Sequence, residues 1–296
     1  MTLFPATGSG AAGLRTLLGS GRVVQAPGCF DALSARVVES SGFDAAFLGG
    51  FSIAAARLGL PDVGLISYGE MLDQTVSVCS ATSLPVIADG DTGYGNPVNA
   101  ERTLLGYARA GVACVMIEDQ AWPKRCGHTA GKEVVDRTEA VQRVRACHRI
   151  REEHGIDILI MARTDACATD GFDEALWRAT AFAEVGADIT FLEAPETVEQ
   201  MQRYCTEVPG FTTANLVDDG RTPWLTPDEL TEIGYSVALY PVSLLLHAIE
   251  AMRSAAEGLA VDGRSGDRRV RFDDARRLVG WPDYDERLAA LDDDPA

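Results

Sequence analysis

The amino-acid sequence predicts an α/β fold, a (β/α)8 TIM barrel with an extra C-terminal helical segment. Short apolar runs rich in β-branched residues alternate with helical segments along the chain. The links are short, and no low-complexity segment interrupts the alternation. The length of 296 residues, 46% of them hydrophobic, also suits a barrel, which takes about 250 residues as one domain.

The predicted strands end in turn residues or charged residues. The first, at 22–26, is expected to stop at Pro27-Gly28, and Asp31 then takes the N-cap position of a helix at 32–41. The other predicted strands lie at 45–48, 85–88, 113–117, 158–162, 189–192, 211–214 and 236–240.

Helices are predicted before the first strand, at 11–19, and then between the strands, at 67–80, 97–110, 138–153, 172–186, 197–206, 226–233 and 242–258. Pro97 and Pro227 occupy first helical positions, and glycines stand where helices should end, at 111, 155, 186 and 234. The chain beyond about 260 is expected to form extra helix that packs on the barrel or on a neighbouring subunit. Residues 1–296 are therefore treated as one domain.

The composition restricts the class of partner. A net charge of −18, from 44 acidic and 26 basic residues, argues against nucleic acid and against an anionic membrane. No stretch approaches 18 consecutive apolar residues, and the N-terminus lacks a signal-peptide pattern, so we expect a soluble cytoplasmic protein. Seven irregularly spaced cysteines without a CxxC pair predict reduced thiols.

Acidic residues follow two neighbouring predicted strands at their carboxyl ends, where barrels build their active sites. Asp89 and Asp91 would share a face of an extended strand, and Glu118 ends the next strand. Such carboxylates would repel one another without a cation, and hard oxygen ligands favour Mg2+, with Mn2+ close behind. The alternative is a turn with local hydrogen bonds.

The loop after the fourth predicted strand brings a cysteine together with basic residues: it contains Trp122, Lys124, Arg125, Cys126 and His128. Cationic neighbours favour the thiolate, which suits a proton donor or a nucleophile, although an incidental cysteine in a surface loop is the alternative. The chain has two lysines, Lys124 and Lys132, and no predicted strand ends in one. A Schiff-base aldolase is thus disfavoured, and carbon–carbon chemistry here would need a metal.

Arg163 ends the fifth predicted strand and can bind a carboxylate or phosphonate through two hydrogen bonds. The alternative is a structural ion pair with Glu193 or Asp165. Gly49-Gly50 and Gly93-x-Gly95 leave backbone N–H groups free to approach an anion, although glycines that merely turn the chain are as common. The histidines at 148, 154 and 247 fall on helical segments and are expected to be ordinary helix residues.

Seven motifs between about residues 20 and 255 resemble, in order and spacing, the isocitrate lyase/phosphoenolpyruvate mutase superfamily: PGCFDALSA at 27–35, GLPD at 59–62, DGDTGYG at 89–95, IEDQ at 117–120, KRCGH at 124–128, ARTDA at 162–166 and GRTP at 220–223. The KRCGH loop resembles the lyase branch. The context at 122–124 and 191–195 is most similar to 2-alkylmalate lyases of the petal-death-protein and dimethylmalate-lyase kind, with methylisocitrate lyase second. Carboxyphosphonoenolpyruvate mutase carries a similar loop.

The resemblance implies a Mg2+-dependent lyase that cleaves a 2-hydroxy dicarboxylate to a 2-oxo acid and a carboxylate, in a homotetramer with exchanged C-terminal helices. Asp89 would bind the metal directly, and Asp62, Asp91 and Glu118 would hold its waters. Cys126 would be the general acid, in a catalytic set with Lys124, Arg163, Glu118 and His128. The substrate-binding set would be Phe47, Gly49, Gly50, Arg163, Gly127, His128, Glu193, Asn215 and Pro241.

One position departs from the family pattern, since relatives usually have serine where this chain has Gly49. Loss of that hydroxyl would weaken binding of the 2-oxo acid or signal a changed substrate. Three alternatives stay open on the sequence: a carboxyphosphonoenolpyruvate mutase, an oxaloacetate hydrolase, and a barrel retained for binding without catalysis. The loop at 120–137 is expected to be a lid that excludes water.

Overall fold

The computed structural model describes residues 2–5, 10–126 and 131–292. Within them, parallel strands close into a barrel in chain order, and the last strand pairs with the first. The strands are β1 (Val24–Cys29), β2 (Ala46–Leu48), β3 (Val86–Asp89), β4 (Cys114–Glu118), β5 (Leu159–Thr164), β6 (Ile189–Leu192), β7 (Phe211–Asn215) and β8 (Val237–Tyr240). The predicted barrel is confirmed.

Helices surround the barrel and continue beyond it. They are α1 (Gly10–Leu18), α2 (Ala32–Ser40), α3 (Gly50–Ile53), α4 (Tyr68–Cys79), α5 (Pro97–Arg109), α6 (Arg137–His154), α7 (Ala166–Thr169), α8 (Phe172–Glu184), α9 (Val198–Glu207), α10 (Pro227–Ile233), α11 (Ser243–Asp262), α12 (Phe272–Leu278) and α13 (Trp281–Asp292). Asp31 caps α2 as predicted, with its carboxylate accepting from the Ser34 N–H at 2.7 Å. Gly155 and Gly234 end α6 and α10 in the left-handed conformation.

The structure corrects the prediction in two respects, the end of the first strand and the presence of short helical segments. Strand β1 does not stop at Pro27-Gly28 but runs through both to Cys29, with Pro27 in register with Tyr240 of β8. The fixed φ of proline is compatible with an extended chain, so it marks no boundary here. The single-turn helices α3 and α7, and a π-helical segment at Ala54–Leu58, were not predicted because they are too short to show a period.

Alternating side chains on each strand divide the core into two layers. On β4, Cys114 and Met116 pack inside the barrel, whereas Val115 and Ile117 pack outward against the helices. Ile87 on β3 and Phe191 on β6 belong to the inner layer as well. A residue two positions beyond an inner one therefore points into the mouth of the barrel.

The C-terminal chain is helical, as predicted, and α12 and α13 lie outside the barrel count. Several of its large apolar side chains are exposed, among them Met252, Leu259, Phe272 and Leu291. Exchange of these helices between subunits stays a prediction. Among the described residues, no helix combines the length and apolar character needed to span a bilayer.

Gly28 provides a test of how tightly the barrel closes. A Cβ at this position would lie 2.1 Å from the carbonyl oxygen of Pro241, at the end of β8. We expect Gly28→Ala to lower the free energy of unfolding by about 3 kcal/mol, because backbone must move to admit the methyl group. Urea denaturation followed by circular dichroism measures the change.

Gly69→Ala is the matched control. Gly69 lies in the first turn of α4, where the nearest atom to an added Cβ is 3.9 Å away. Alanine should raise stability there by up to about 1 kcal/mol, through its higher helix propensity. If the two substitutions had the same effect, tight closure at Gly28 would be refuted.

Candidate active site

The alternation of side chains on the strands gathers most of the predicted residues at one mouth of the barrel. Glu118 lies two positions beyond Met116, and Arg163 two beyond Met161, so both point inward, and the two residues are in register on β4 and β5. Here the structure contains a cavity of about 60 Å³. Its predicted members are Phe47, Gly49, Gly50, Asp62, Asp89, Glu118, Lys124, Cys126, Arg163, Glu193, Asn215 and Pro241. Gly127 and His128 lie outside the described residues.

Four buried acidic residues lie close together beside this cavity and form what we call the carboxylate cluster: Asp62, Asp89, Asp91 and Glu118. The side chain of Lys124 reaches into the cluster, and its Nζ lies 2.5 Å from Asp62 Oδ1 and 2.5 Å from Asp91 Oδ1. The ammonium is itself buried. The sequence predicted Lys124 as a neighbour of the cysteine, whereas the structure shows that it neutralises the acids.

Burial and mutual repulsion change the proton affinity of these groups. Burial, reinforced by the charge of Asp91, raises the pKa of Asp89 above its usual range. Burial raises the pKa of Glu118 well above its usual range, although Arg163 opposes the shift. Burial alone would lower the pKa of Lys124, but the carboxylates around it outweigh this effect and raise that pKa well above its ordinary value. The carboxylates of the cluster therefore stabilise a positive charge placed among them.

The Asp-Gly-Asp segment is a turn, which corrects one detail of the prediction. Strand β3 ends at Asp89, and Asp91 has a φ of 49°, so the two do not share a strand face. The Asp91 N–H donates to Asp89 Oδ1 at 2.9 Å, which is the local bond expected of a turn. The N–H of Gly50, which was expected to be free to approach an anion, donates instead to Asp89 Oδ2 at 3.0 Å.

Arg163 is held by three acidic side chains. Its Nε and Nη2 donate to the two oxygens of Asp165 at 2.9 and 3.0 Å, and Nη2 lies 3.1 Å from Glu193 Oε2. Its Nε lies 3.6 Å from Glu118 Oε2. The structural ion pairs considered as an alternative are therefore present, and within the described chain Nη1 is not used in them. The guanidinium is fixed in direction at the wall of the cavity.

The sequence did not predict the residues that hold Asp165 in place beside Arg163. Burial opposes ionisation of Asp165, but Arg163 and Lys132 outweigh it and lower its pKa. Lys132 Nζ donates to Asp165 Oδ1 at 2.7 Å, and both groups are buried. Asp119 faces away from the mouth and accepts from the Asp165 N–H at 2.9 Å. The sequence named Asp165 as an ion-pair partner of Arg163 but gave no signal for the contacts of Asp165 with Lys132 and Asp119.

The loop between β4 and α6 is anchored at several points. The side chain of Gln120 binds the backbone of Arg125 twice, accepting from its N–H at 2.9 Å and donating to its carbonyl at 2.8 Å. Gln120 also forms an antiparallel bridge with Val134. Trp122 packs on Gly64, and a Cβ added to Gly64 would lie 2.7 Å from the indole ring of Trp122. These contacts place Cys126, which is partly exposed, at the cavity.

One side of the cavity is apolar. Phe47, Phe51, Phe191, Val217 and Val242 line it. A Cβ at residue 49 would lie 2.9 Å from the ring of Phe47, so a serine there would have to displace that ring. The glycine and the phenylalanine therefore fit each other, which gives a local reason for the departure from the family pattern.

The carboxylate cluster contains buried oxygens that could bind a divalent ion. Asp91 Oδ2 and Glu118 Oε1 are buried and accept no hydrogen bond from any described residue. Within the same ranges, no three histidine, cysteine or acidic side chains are already arranged as a coordination shell, and Lys124 lies among the acids instead. The residues fit a hard cation in type and charge, and they offer unsatisfied oxygens beside the ammonium.

The described chain has the architecture of an enzyme. It is a closed (β/α)8 barrel, and the carboxyl ends of its strands carry a buried acidic cluster, a fixed arginine and a cysteine. Residues 14–260 match the phosphoenolpyruvate phosphomutase family. The chain belongs to this family, within the isocitrate lyase/phosphoenolpyruvate mutase superfamily of lyases and mutases.

Three relatives show the range of activities around it. The chain is 43% identical to a 2,3-dimethylmalate lyase of Eubacterium barkeri, with 91% of this chain and 94% of that protein covered. It is 36% identical to a chloroplastic carboxyvinyl-carboxyphosphonate phosphorylmutase of Arabidopsis thaliana, with 91% and 82% covered. Among solved structures, an oxaloacetate acetylhydrolase bound to 3,3-difluorooxaloacetate matches with a TM-score of 0.92 at 33% identity, over 96% of this chain and 97% of that one.

The cysteines form no disulfide, as predicted, and their environments predict which thiol reacts first. Burial raises the pKa of six of them, to about 12 for Cys29, Cys79 and Cys147, to about 11 for Cys167 and Cys205, and well above the usual range for Cys114. Because the thiolate is the reactive form, iodoacetamide at pH 8 should label Cys126 before the others. Peptide mass mapping measures the order, and equally fast labelling of Cys167 would contradict it.

Proposed function

We propose that this protein is a Mg2+-dependent carbon–carbon lyase that cleaves a 2-hydroxy dicarboxylate of the 2-alkylmalate type to a 2-oxo acid and a carboxylate. The observation that carries the proposal is the meeting of the carboxylate cluster, Arg163 and Cys126 at one cavity. Enzymes of this superfamily generally use a divalent metal ion. The unsatisfied carboxylate oxygens support Mg2+ here, with Mn2+ as a substitute.

The four acids of the cluster would hold the ion, with Asp89 nearest and Asp62, Asp91 and Glu118 around it. The ion would polarise the hydroxyl and neighbouring carboxylate of the substrate, lowering the free energy of the alkoxide from which the carbon–carbon bond breaks. A carboxylate of the cluster would accept the hydroxyl proton, and burial, which raises the pKa of Glu118, makes that residue suited to the task.

The second product leaves as a carbanion that needs a proton. The Cys126 thiol would donate it, since this residue lines the cavity at the end of an anchored loop. Positioned proton transfer of this kind contributes roughly 10²- to 10⁴-fold to a rate. Gly127 and His128 would complete the lid.

Recognition of the substrate would divide between a polar and an apolar side. Arg163 and Asn215 would bind its carboxylates, and Asn215 is oriented by Glu193, whose two oxygens accept from its amide at 3.2 Å. The apolar side, with Phe47 and Phe191, suits alkyl substituents. Gly49, Gly50 and Pro241 would bound the remaining space.

An oxaloacetate hydrolase is the second candidate, favoured by the close structural match to an oxaloacetate acetylhydrolase. It would use the same acids and arginine with an attacking water. A phosphonomutase is less well supported. Its substrate needs more positive charge, whereas Lys124 and Arg163 are already paired with carboxylates.

We further propose that the protein is a homotetramer in the cytoplasm. The exposed apolar side chains of α11 to α13 support a homotetramer in which these helices are exchanged between subunits. A small carboxylate substrate, the net charge of −18 and the reduced cysteines support a cytoplasmic location without nucleic acid or membrane partners.

The test of the function is release of a 2-oxo acid in the presence of Mg2+. The panel is 2,3-dimethylmalate, 2-ethyl-3-methylmalate, 2-methylisocitrate and isocitrate, with oxaloacetate hydrolysis measured in parallel. We expect the dialkylmalates to be cleaved with the highest kcat/KM, and EDTA to abolish the reaction. Hydrolysis of oxaloacetate without cleavage of any hydroxy acid would establish the second candidate instead.

Cys126→Ala separates binding from proton transfer. The variant should lose cleavage by at least about 100-fold, because it lacks the thiol that would protonate the carbanion, while it still binds Mg2+ and the 2-oxo acid product. Steady-state kinetics and isothermal titration calorimetry measure the two properties. Cleavage at the wild-type rate would disprove the assignment of Cys126 as the acid.

A further inference from the structure

The turn that follows β3 carries two acids of the carboxylate cluster, and its backbone is strained. Asp89 ends the strand and Asp91 has a φ of 49°, while Tyr94, a few residues on, has a φ of 59°. Both angles lie in the left-handed region, which residues with a side chain adopt only at a cost in free energy. A backbone of this kind persists where the surrounding contacts hold it in place.

Strand β4 holds one side of this turn. The N–H of Gly90 donates to the carbonyl oxygen of Met116 at 2.8 Å, and the N–H of Glu118 donates to the carbonyl oxygen of Asp91 at 2.9 Å. These bonds continue the parallel pairing of β3 with β4. Because they join backbone to backbone, they place no demand on a particular side chain.

Helix α5 holds the other side of the turn through two hydroxyl groups. Tyr107 Oη donates to the carbonyl oxygen of Asp89 at 2.8 Å, and Thr103 Oγ1 donates to the carbonyl oxygen of Gly93 at 3.2 Å. Thr103 and Tyr107 are four residues apart, so they share one face of the helix, and both are fully buried. Two side chains one helical turn apart thus bind the first and last residues of the segment 89–93.

The same face of α5 packs closely against the turn. Ala100, three residues before Thr103, lies so near Gly93 that a Cβ added to the glycine would be 2.7 Å from the alanine Cβ. Burial raises the pKa of Tyr107 above its usual range, so the hydroxyl keeps the proton that it donates to Asp89. Loss of this hydroxyl would leave the buried carbonyl oxygen of Asp89 without that donor.

We propose that Thr103 and Tyr107 are positioning residues of the metal site, whose hydroxyls hold the strained turn so that Asp89 and Asp91 present their carboxylates in the arrangement that a divalent ion binds. This inference rests on the metal site of the proposed function, and it adds two residues outside the lining of the cavity. Both act through the backbone of the turn. By ordering the ligands before the ion arrives, they reduce the cost of binding.

The first experiment measures affinity for Mn2+ alone, by electron paramagnetic resonance of the free ion. Tyr107→Phe removes one hydroxyl and keeps the ring, and it should weaken Mn2+ binding about fivefold, the effect of one lost hydrogen bond. Thr103→Val removes the other hydroxyl at nearly constant volume and should weaken binding by a similar factor. Thr103→Ser keeps the hydroxyl and should bind Mn2+ within about twofold of the wild type. Weak binding by Thr103→Ser and normal binding by Thr103→Val would show that packing matters instead, and would overturn the proposal.

Tyr204→Phe is the matched control. Tyr204 lies on α9, in a different core cluster from Tyr107, and is also fully buried. Its Oη shares a hydrogen bond of 2.9 Å with Thr190 Oγ1. The substitution should lower the midpoint of urea unfolding as Tyr107→Phe does, but it should leave Mn2+ affinity within about twofold of the wild type. If both variants weakened Mn2+ binding equally, a general loss of stability would explain the effect, and the positioning role would be refuted.

The second experiment follows the turn itself in the metal-free protein, by hydrogen–deuterium exchange of peptides that contain residues 89–95. The N–H groups of Asp91 and Gly93 are hydrogen-bonded within the turn. Tyr107→Phe should speed their exchange at least about threefold because the turn opens more often, whereas Tyr204→Phe should leave it unchanged. Wild-type exchange in Tyr107→Phe would mean that the hydroxyl does not hold the turn, contrary to the proposal.

The outcomes separate the two proposals. If the wild type does not bind Mn2+, the metal site of the proposed function fails and this inference fails with it. If the wild type binds the ion, but Tyr107→Phe and Thr103→Val bind it equally well, the lyase proposal stands and the positioning role is refuted. Weaker binding by these two variants, with faster exchange of the turn in Tyr107→Phe, supports both proposals.

Discussion

The concentration of negative charge in the barrel mouth is the constraint on which the rest of the site depends. Asp62, Asp89, Asp91 and Glu118 are buried within reach of one another, and unpaired carboxylates in such a place would destabilise the fold. Two cations offset this negative charge: Lys124 lies among the acids, and Arg163 lies at the edge of the cluster. The feature that threatens stability is thus the one that suits the site to a metal.

The sequence predicts much of this arrangement because strand alternation is a local rule. Residues two positions beyond an inward-facing one face inward, so Glu118 and Arg163 could be placed at the barrel mouth from the strand ends alone. Contacts between distant segments were not predictable in this way. The position of Lys124 depends on where a loop folds back, and the pair of Lys132 with Asp165 joins two segments 33 residues apart. Neither contact has a periodic signal.

Two smaller differences between the prediction and the structure also arise from contacts and backbone geometry that have no periodic signal in the sequence. The prediction placed Asp91 on a strand, but its left-handed backbone, with a φ of 49°, places it in a turn that only the folded barrel defines. Gly49 was read as a loss of the usual serine, whereas the structure shows the ring of Phe47 in the space that a side chain at 49 would need. A departure at one position is thus matched by a neighbour two residues away. The fold itself does not choose among lyase, mutase and hydrolase activities, which is why the substrate panel decides the reaction.

The measurement that most directly tests the account is X-ray diffraction at the manganese absorption edge, from crystals soaked in Mn2+ and a 2-oxo acid. One anomalous peak per chain is expected, within coordinating or water-bridged distance of Asp62, Asp89, Asp91 and Glu118. A well-ordered 2-oxo acid without a peak there, or a peak only at another site, would contradict the assignment of this cluster as the metal centre.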